Sequence, residues 1–224
     1  MTQSLLPQLP FSDKYDLAHA HAYQKKHHTG LRRRLTTWRE TQLACRALKL
    51  AGNPESVLDM PCGAGRFWPM LAAHPTRRLL AGDRSPAMLE IARGGAQPAV
   101  LSRVESLLPL DAFRLSLPDD AVEHVLCMRL LHHIESAADR LRILAEIHRV
   151  GRLGATVSLW VDGNIQSRRR NRQDTQRTRA NINRLVVPRA TIEAEFAQVG
   201  FRVRRRLDVC PGLSMWRLYL LDKA

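Results

Sequence analysis

The sequence predicts an α/β protein with a doubly wound, mostly parallel sheet, and three observations lead there. From residue 55 onward, short apolar runs alternate with helix-length amphipathic stretches, the pattern of parallel strands covered on both faces. Ser56-Val57-Leu58-Asp59 ends in an acid and runs straight into Met60-Pro61-Cys62-Gly63-Ala64-Gly65, with a helix able to begin at Arg66. Strand, backbone-only turn and helix N-terminus in that order present a nucleotide-like ligand, and Gly63 and Gly65 allow the main chain to approach it closely. Finally, 224 residues with 45% apolar content suffice for one domain with a sizeable core.

Taken in order, residues 1–12 contain Pro7 and Pro10 without periodicity and read as a loose arm. Asp13 to His28 reads as helical, with Tyr15 and Tyr23 near one face. A second helix spans Leu31 to Leu50, where Leu31, Leu35, Trp38, Gln42 and Cys45 form one mostly apolar stripe and Gly52 supplies the stop. Residues 1–54 thus form an arm and helical lid, and 55–224 the main domain. Leu79 to Asp83 is the second strand, followed by the helix start Ser85-Pro86, an N-cap with proline at N1. Val122 to Met128 is the fourth strand. Ser136 and Asp139 open a helix with a capping-box pattern, and Leu141, Leu144 and Ile147 give it an apolar side. Ala155 to Val161 is the fifth strand. A helix over Arg189–Val199 stops at Gly200, and strands Phe201–Asp208 and Ser214–Leu221 close the chain around Pro211-Gly212.

A dinucleotide fingerprint requires a third glycine at position 68, which is Trp68 here, so a nicotinamide cofactor is disfavoured. Asp59 followed by Gly63 and Gly65, then Asp83 with Ser85-Pro86, Asp111-Ala112-Phe113, the fourth strand and Leu131-His132-His133-Ile134 together resemble the class I, Rossmann-like S-adenosylmethionine (SAM) methyltransferases over residues 55–222. The pattern is similar to the members that act on quinone precursors and other small molecules. The resemblance implies a seven-stranded sheet with an antiparallel last strand, and SAM as cofactor. It implies cofactor contacts from Asp59, Cys62, Gly63, Gly65, Asp83 (ribose hydroxyls), Arg84, Met88, Asp111 and Ala112 (adenine), Met128 and Arg129. A lid side chain on the methionyl part would come from Tyr15, Tyr23 or Arg34. Two departures are local: Met60-Pro61-Cys62 where small residues are commoner, and Ala121-Val122-Glu123-His124 where a Phe-Asp pair is usual.

His132 and His133 follow the fourth strand and are the candidates for a catalytic base, since an imidazole titrates near neutrality. The absence of Asn/Asp-Pro-Pro-Tyr after the fourth strand, of a nucleophilic cysteine beside proline or threonine, and of core lysines weakens three nucleic-acid methylation chemistries. Between the fifth strand and the next helix lies an insert, residues 163–187, with seven arginines against the single acid Asp174. Such an insert leaves the carboxyl end of a strand, beside the acceptor pocket, so Arg168, Arg169 and Arg170 are candidates for binding an anionic substrate.

Thirty-five Lys+Arg against 21 Asp+Glu give a net charge of +14, a field that attracts nucleic acid, an acidic protein face or anionic lipid. The four cysteines show no Cys-x-x-Cys spacing, and the histidines of the N-terminal helix lack companion ligands, so no metal is expected. No apolar run is long enough to span a bilayer and no secretory signal is visible, so the expected location is cytoplasmic. The expected function is methyl transfer to an O, N or C nucleophile of a small or lipid-like anionic acceptor. The alternatives are an RNA or acidic-protein acceptor, or a non-catalytic nucleic-acid-binding domain.

Overall fold

A computed structural model of the chain describes residues 31–174 and 185–224. The helix expected over Asp13–His28, with Tyr15 and Tyr23, lies outside them. In chain order the elements are α1 (Leu31–Leu50), β1 (Ser56–Asp59), α2 (Trp68–Ala72), β2 (Arg78–Asp83), α3 (Pro86–Gly95), α4 (Pro98–Leu101) and β3 (Val104–Pro109). They continue with β4 (Val122–Cys127), a 3-10 turn (Leu131–His133), α5 (Ala137–Val150), β5 (Gly151–Trp160), α6 (Ile165–Asp174), α7 (Arg189–Gln198), β6 (Phe201–Asp208) and β7 (Trp216–Lys223).

The seven strands form one sheet in the order β3-β2-β1-β4-β5-β7-β6. β1 to β5 pair in parallel, whereas β7 is antiparallel to both β5 and β6, as the resemblance implied. Strand order reverses at β1/β4. Crevices outside the carboxyl ends of strands at such a switch point are where open α/β sheets bind ligands. β1 is buried along its whole length, because helices cover both faces of the sheet. One core layer packs α5 and α7 against the sheet through Ile143, Leu144, Ile147, Ile192 and Phe196; the other packs α1, α2 and α3 through Leu43, Ala47, Trp68, Leu71 and Leu89.

Local signals account for several helix ends. Ser85 caps α3, accepting from Met88 N at 3.3 Å, and Ser136 caps α5, accepting from Asp139 N at 3.3 Å. Gly52, at φ +90°, ends α1 while Asn53 N returns to Leu48 O at 2.8 Å. The helix expected from Arg66 begins two residues later, at Trp68, because residues 60–67 are consumed by the turn. The fifth strand starts earlier than expected, at Gly151, whose Cβ would meet Gly154 O at 2.9 Å.

The face of α1 needs correction. The stripe containing Leu35, Trp38 and Gln42 points outward, and all three side chains are exposed. The packed face is Glu40, Leu43, Ala44, Ala47 and Leu48. Two alanines allow the backbone to approach its neighbours closely, and Glu40 is buried because it collects two arginines, an arrangement that hydrophobic periodicity cannot register.

Candidate active site

The glycine loop is held by its neighbours rather than by its own side chains. Met60 N donates to Leu126 O (3.0 Å) and Cys62 N to Gly82 O (2.8 Å), so the loop is tied to β4 and β2 at once. Asp83, at the carboxyl end of β2, accepts from Gly63 N and from Ser85 N, both at 2.9 Å. Gly63 has φ +53° and open space where a Cβ would point, which leaves its main chain accessible from that side. Gly65 has another reason: a Cβ there would meet the Trp68 ring at 2.8 Å, so this glycine makes room for the core tryptophan.

Asp59 is fully buried at the head of the loop, and neither carboxylate oxygen has a hydrogen-bond partner. Burial pushes its pKa up to about 8; the positive charge of Arg66 opposes that shift, the carboxylate of Asp83 adds to it, and the Trp68 indole, near but outside hydrogen-bond geometry, lowers it. An unpartnered buried acid is costly, and such groups concentrate where a ligand completes the set. A cationic, hydrogen-bonding group seated here would satisfy it. Asp83 is also raised by burial, against the pull of the backbone N–H groups of Ser85, Gly63 and Arg84.

The remaining cofactor candidates of this half converge. Leu110 N donates to Asp83 O (3.1 Å), which brings the segment after β3 beside the end of β2. There Asp111 faces Arg84 at 3.9 Å and accepts from Phe113 N at 2.9 Å, with Ala112 half-buried next to it. Met88 is buried and packs against Ala64 of the loop. Burial pushes the thiols of Cys62 and Cys127 up, so neither is a thiolate nucleophile at neutral pH.

Across the β1/β4 switch the site is made of long side chains. Met128 is buried, and Arg129 follows it in the left-handed region at φ +63°, which a bulky residue adopts only when its surroundings impose it. Three contacts impose it. Arg129 N donates to Ser158 Oγ (2.9 Å), its guanidinium donates to Glu40 (2.6 and 3.3 Å), and it lies 4.8 Å from the Trp216 ring centroid. Glu40 also pairs with Arg66 at 2.9 Å, so one buried carboxylate joins α1, the glycine loop and the end of β4.

Beyond Arg129, His132 is buried against Trp160 (centroids 5.0 Å, 23° between planes) and edge-on to Trp216 at 4.9 Å. His133 is half-buried beside it at 4.2 Å. The structure divides the arginine trio of the insert. Asn164 caps α6, accepting from Ser167 N at 2.8 Å, and this sets the helix so that Arg170 lies 5.6 Å from the Trp160 ring while Arg168 and Arg169 are exposed. Arg34 is exposed near the start of α1. Sequence reasoning missed Glu40, Arg66, Trp160 and Trp216. Glu40 is the only acid in α1, and that isolation was its one available signal.

Elsewhere, His124 is fully buried against Thr156 (2.8 Å) with its pKa lowered by burial to about 3, a neutral structural pair in the core. A depression of ≈ 300 Å³ at the opposite, N-terminal edge of the sheet is lined by charges most of which pair with one another or with neighbours, such as Arg152 with Glu123. Among the described residues no group of three His, Cys, Asp or Glu converges as a metal site.

The strand order and the antiparallel last strands are the fold of the class I, Rossmann-like SAM-dependent methyltransferases. Residues 57–154 match the family described as a methyltransferase domain. Trans-aconitate 2-methyltransferase of Streptomyces coelicolor is 32% identical over 128 residues, which is 57% of this chain; the match spans 41% of that relative's length. Magnesium protoporphyrin IX methyltransferase of Synechocystis PCC 6803, solved with bound SAH, superposes with a TM-score of 0.76 at 14% identity, over 96% of this chain and 98% of that one. A SAM-dependent methyltransferase of Aquifex aeolicus superposes at 0.65 with 21% identity, over 94% and 100%.

Proposed function

We propose that the protein is a SAM-dependent methyltransferase acting on an O, N or C nucleophile of a small anionic, in part lipid-like, acceptor. The observation that carries the reading is one continuous edge. The unpartnered Asp59 and the open Gly63 backbone stand on one side of β4, and an indole wall under Arg129 and Arg170 stands on the other. SAM, when bound, supplies a methyl group activated by a sulfonium.

The chain's own contribution is mostly positioning. Gly63, Asp83, Asp111 and Asp59 would hold the cofactor through main-chain groups and carboxylates, with Arg84, Met88, Ala112, Met128 and Cys62 lining it. Bringing two reactants into line lowers a displacement barrier by ~7 kcal/mol or more without a dedicated catalytic group. Arg129 and Arg170 supply positive charge to the acceptor side, and the Trp216 face, half-buried, offers a flat apolar support. The acceptor named for the Streptomyces relative is a small polycarboxylate, which supports an anionic substrate. Where the acceptor must lose a proton, His133 is better placed than His132, whose ring is packed between two indoles.

The test is a calorimetric titration with SAM, with NAD as a control, followed by turnover of a panel of small carboxylates, trans-aconitate among them, read as release of the demethylated cofactor. Micromolar SAM affinity with turnover of a carboxylate is expected. Lack of SAM binding would refute the reading. Turnover restricted to RNA or an acidic protein would replace the acceptor class.

A further inference from the structure

We infer that the edge where α1, the β6–β7 turn and α6 meet is a docking surface for an anionic lipid bilayer. Among the described residues five large apolar side chains are exposed, and four of them belong to these three segments: Leu35 (63%), Trp38 (57%), Ile165 (47%) and Leu213 (54%). The fifth, Leu153, lies near the amino end of β5, at the other edge of the sheet.

Backbone and side-chain contacts tie the segments together. Ile165 N donates to Gly212 O and Gln166 N to Leu213 O, both at 3.0 Å, so Ile165 and Leu213 are neighbours. Arg39 Nε donates to Val209 O at 3.3 Å, which fastens α1 to the start of the same turn. On α1 the buried positions 40, 43, 44, 47 and 48 fix the inner face, and at 100° per residue Leu35 and Trp38 fall on the opposite one. Among the described residues the apolar stripe of this helix is therefore displayed, not packed.

Positive charge accompanies it. Arg34, Arg168 and Arg169 are exposed on α1 and α6 and make no ion pair among the described residues, in a chain carrying +14. Exposed arginines without an ion pair also occur elsewhere, Arg93, Arg114 and Arg205 among them, but not in the three segments that carry the exposed Leu35, Trp38, Ile165 and Leu213. Clustered aliphatic and indole side chains beside uncompensated arginines are what an interfacial protein presents to a surface of anionic headgroups. RNA would be served by the arginines and Trp38, but Leu35, Ile165 and Leu213 offer it nothing, and so the bilayer is the favoured partner.

Docking here would turn the carboxyl edge of the sheet, with its indole wall, toward the lipid. The inference goes beyond methyl transfer, since adsorption needs no cofactor.

Co-sedimentation with phosphatidylcholine vesicles, with and without phosphatidylglycerol, tests it on the full chain. Binding is expected only to phosphatidylglycerol-containing vesicles. Arg168→Ala with Arg169→Ala should weaken it roughly 25-fold, each arginine near such a surface being worth a factor of about five. Trp38→Ser with Leu213→Ser should weaken it at least as much, roughly 25-fold or more, at low and at moderate salt alike. All four positions are exposed, so circular dichroism and SAM titration should match the parent. Equal binding to both vesicle types, or binding indifferent to the Trp38 and Leu213 substitutions, overturns the proposal. So does a dimer that these substitutions dissociate, or capture of RNA without capture of anionic vesicles.

Discussion

On the β1–β2–β3 side of the edge the main chain makes the site, whereas on the β4–β5–β7 side long side chains make it. Around Gly63 the hydrogen bonds come from Cys62, Gly63 and Ser85 N–H groups, and the acids that organise them sit within a few residues of strand ends. Around Arg129 the partners are Glu40, Ser158 and Trp216, separated by up to 89 positions in the chain from the groups they touch. Backbone geometry is cheap to specify with a few glycines and acids and suits a constant ligand. Side-chain walls can be changed one residue at a time, which suits an acceptor that differs between enzymes.

The largest expected effect lies at Asp59. Its folded pKa of about 8 stands above the ordinary 3.8, so between those values the folded state holds a proton that the unfolded state lacks. Stability of the cofactor-free protein should therefore fall as pH rises from about 4 to about 8 through this group. Asp59→Asn should remove that slope and raise stability at pH 8 by a few kcal/mol, while weakening SAM binding; urea titrations of both proteins across the range are the check. His124, with its pKa lowered to about 3, acts in the opposite sense, losing stability as pH falls from 6.5 toward 3 in both proteins, so the difference between them isolates Asp59.

Glu40 joins the two halves, and cutting it should disturb both. Glu40→Ala strands two partly buried guanidiniums and should cost about 3 kcal/mol in urea unfolding. SAM affinity and acceptor turnover should decline together; a loss confined to one would show that the halves are independent.

Asp83→Ala tests the backbone-built half alone. It removes the acceptor of Gly63 N and Ser85 N, and should weaken SAM binding by about 2 kcal/mol with little change in the acceptor's KM. Unchanged affinity would sink the ribose assignment. The smallest expected effect sharpens the other half: Arg170→Ala should raise the acceptor's KM by severalfold, on the order of 1 kcal/mol, and spare SAM binding. Arg168→Ala with Arg169→Ala should leave turnover of a water-soluble acceptor unchanged.

By itself, the sequence determined the α/β alternation, the strand–acid–glycine loop and the positions of Asp59, Asp83 and Asp111, because each is a local signal: an apolar run, a turn that demands glycine, an acid at a strand end. The caps at Ser85 and Ser136 were legible for the same reason. Tertiary structure decided everything that depends on convergence from distant segments. It turned the Leu35–Trp38 stripe of α1 outward, since a buried Glu40 with two arginines outweighs apolar periodicity. It separated Arg170 from Arg168 and Arg169 through the Asn164 cap, and it assembled Trp160, Trp216 and His132 from the ends of two antiparallel strands and a 3-10 turn. Local residues carry local geometry, but a wall made of side chains exists only once the sheet has set their order.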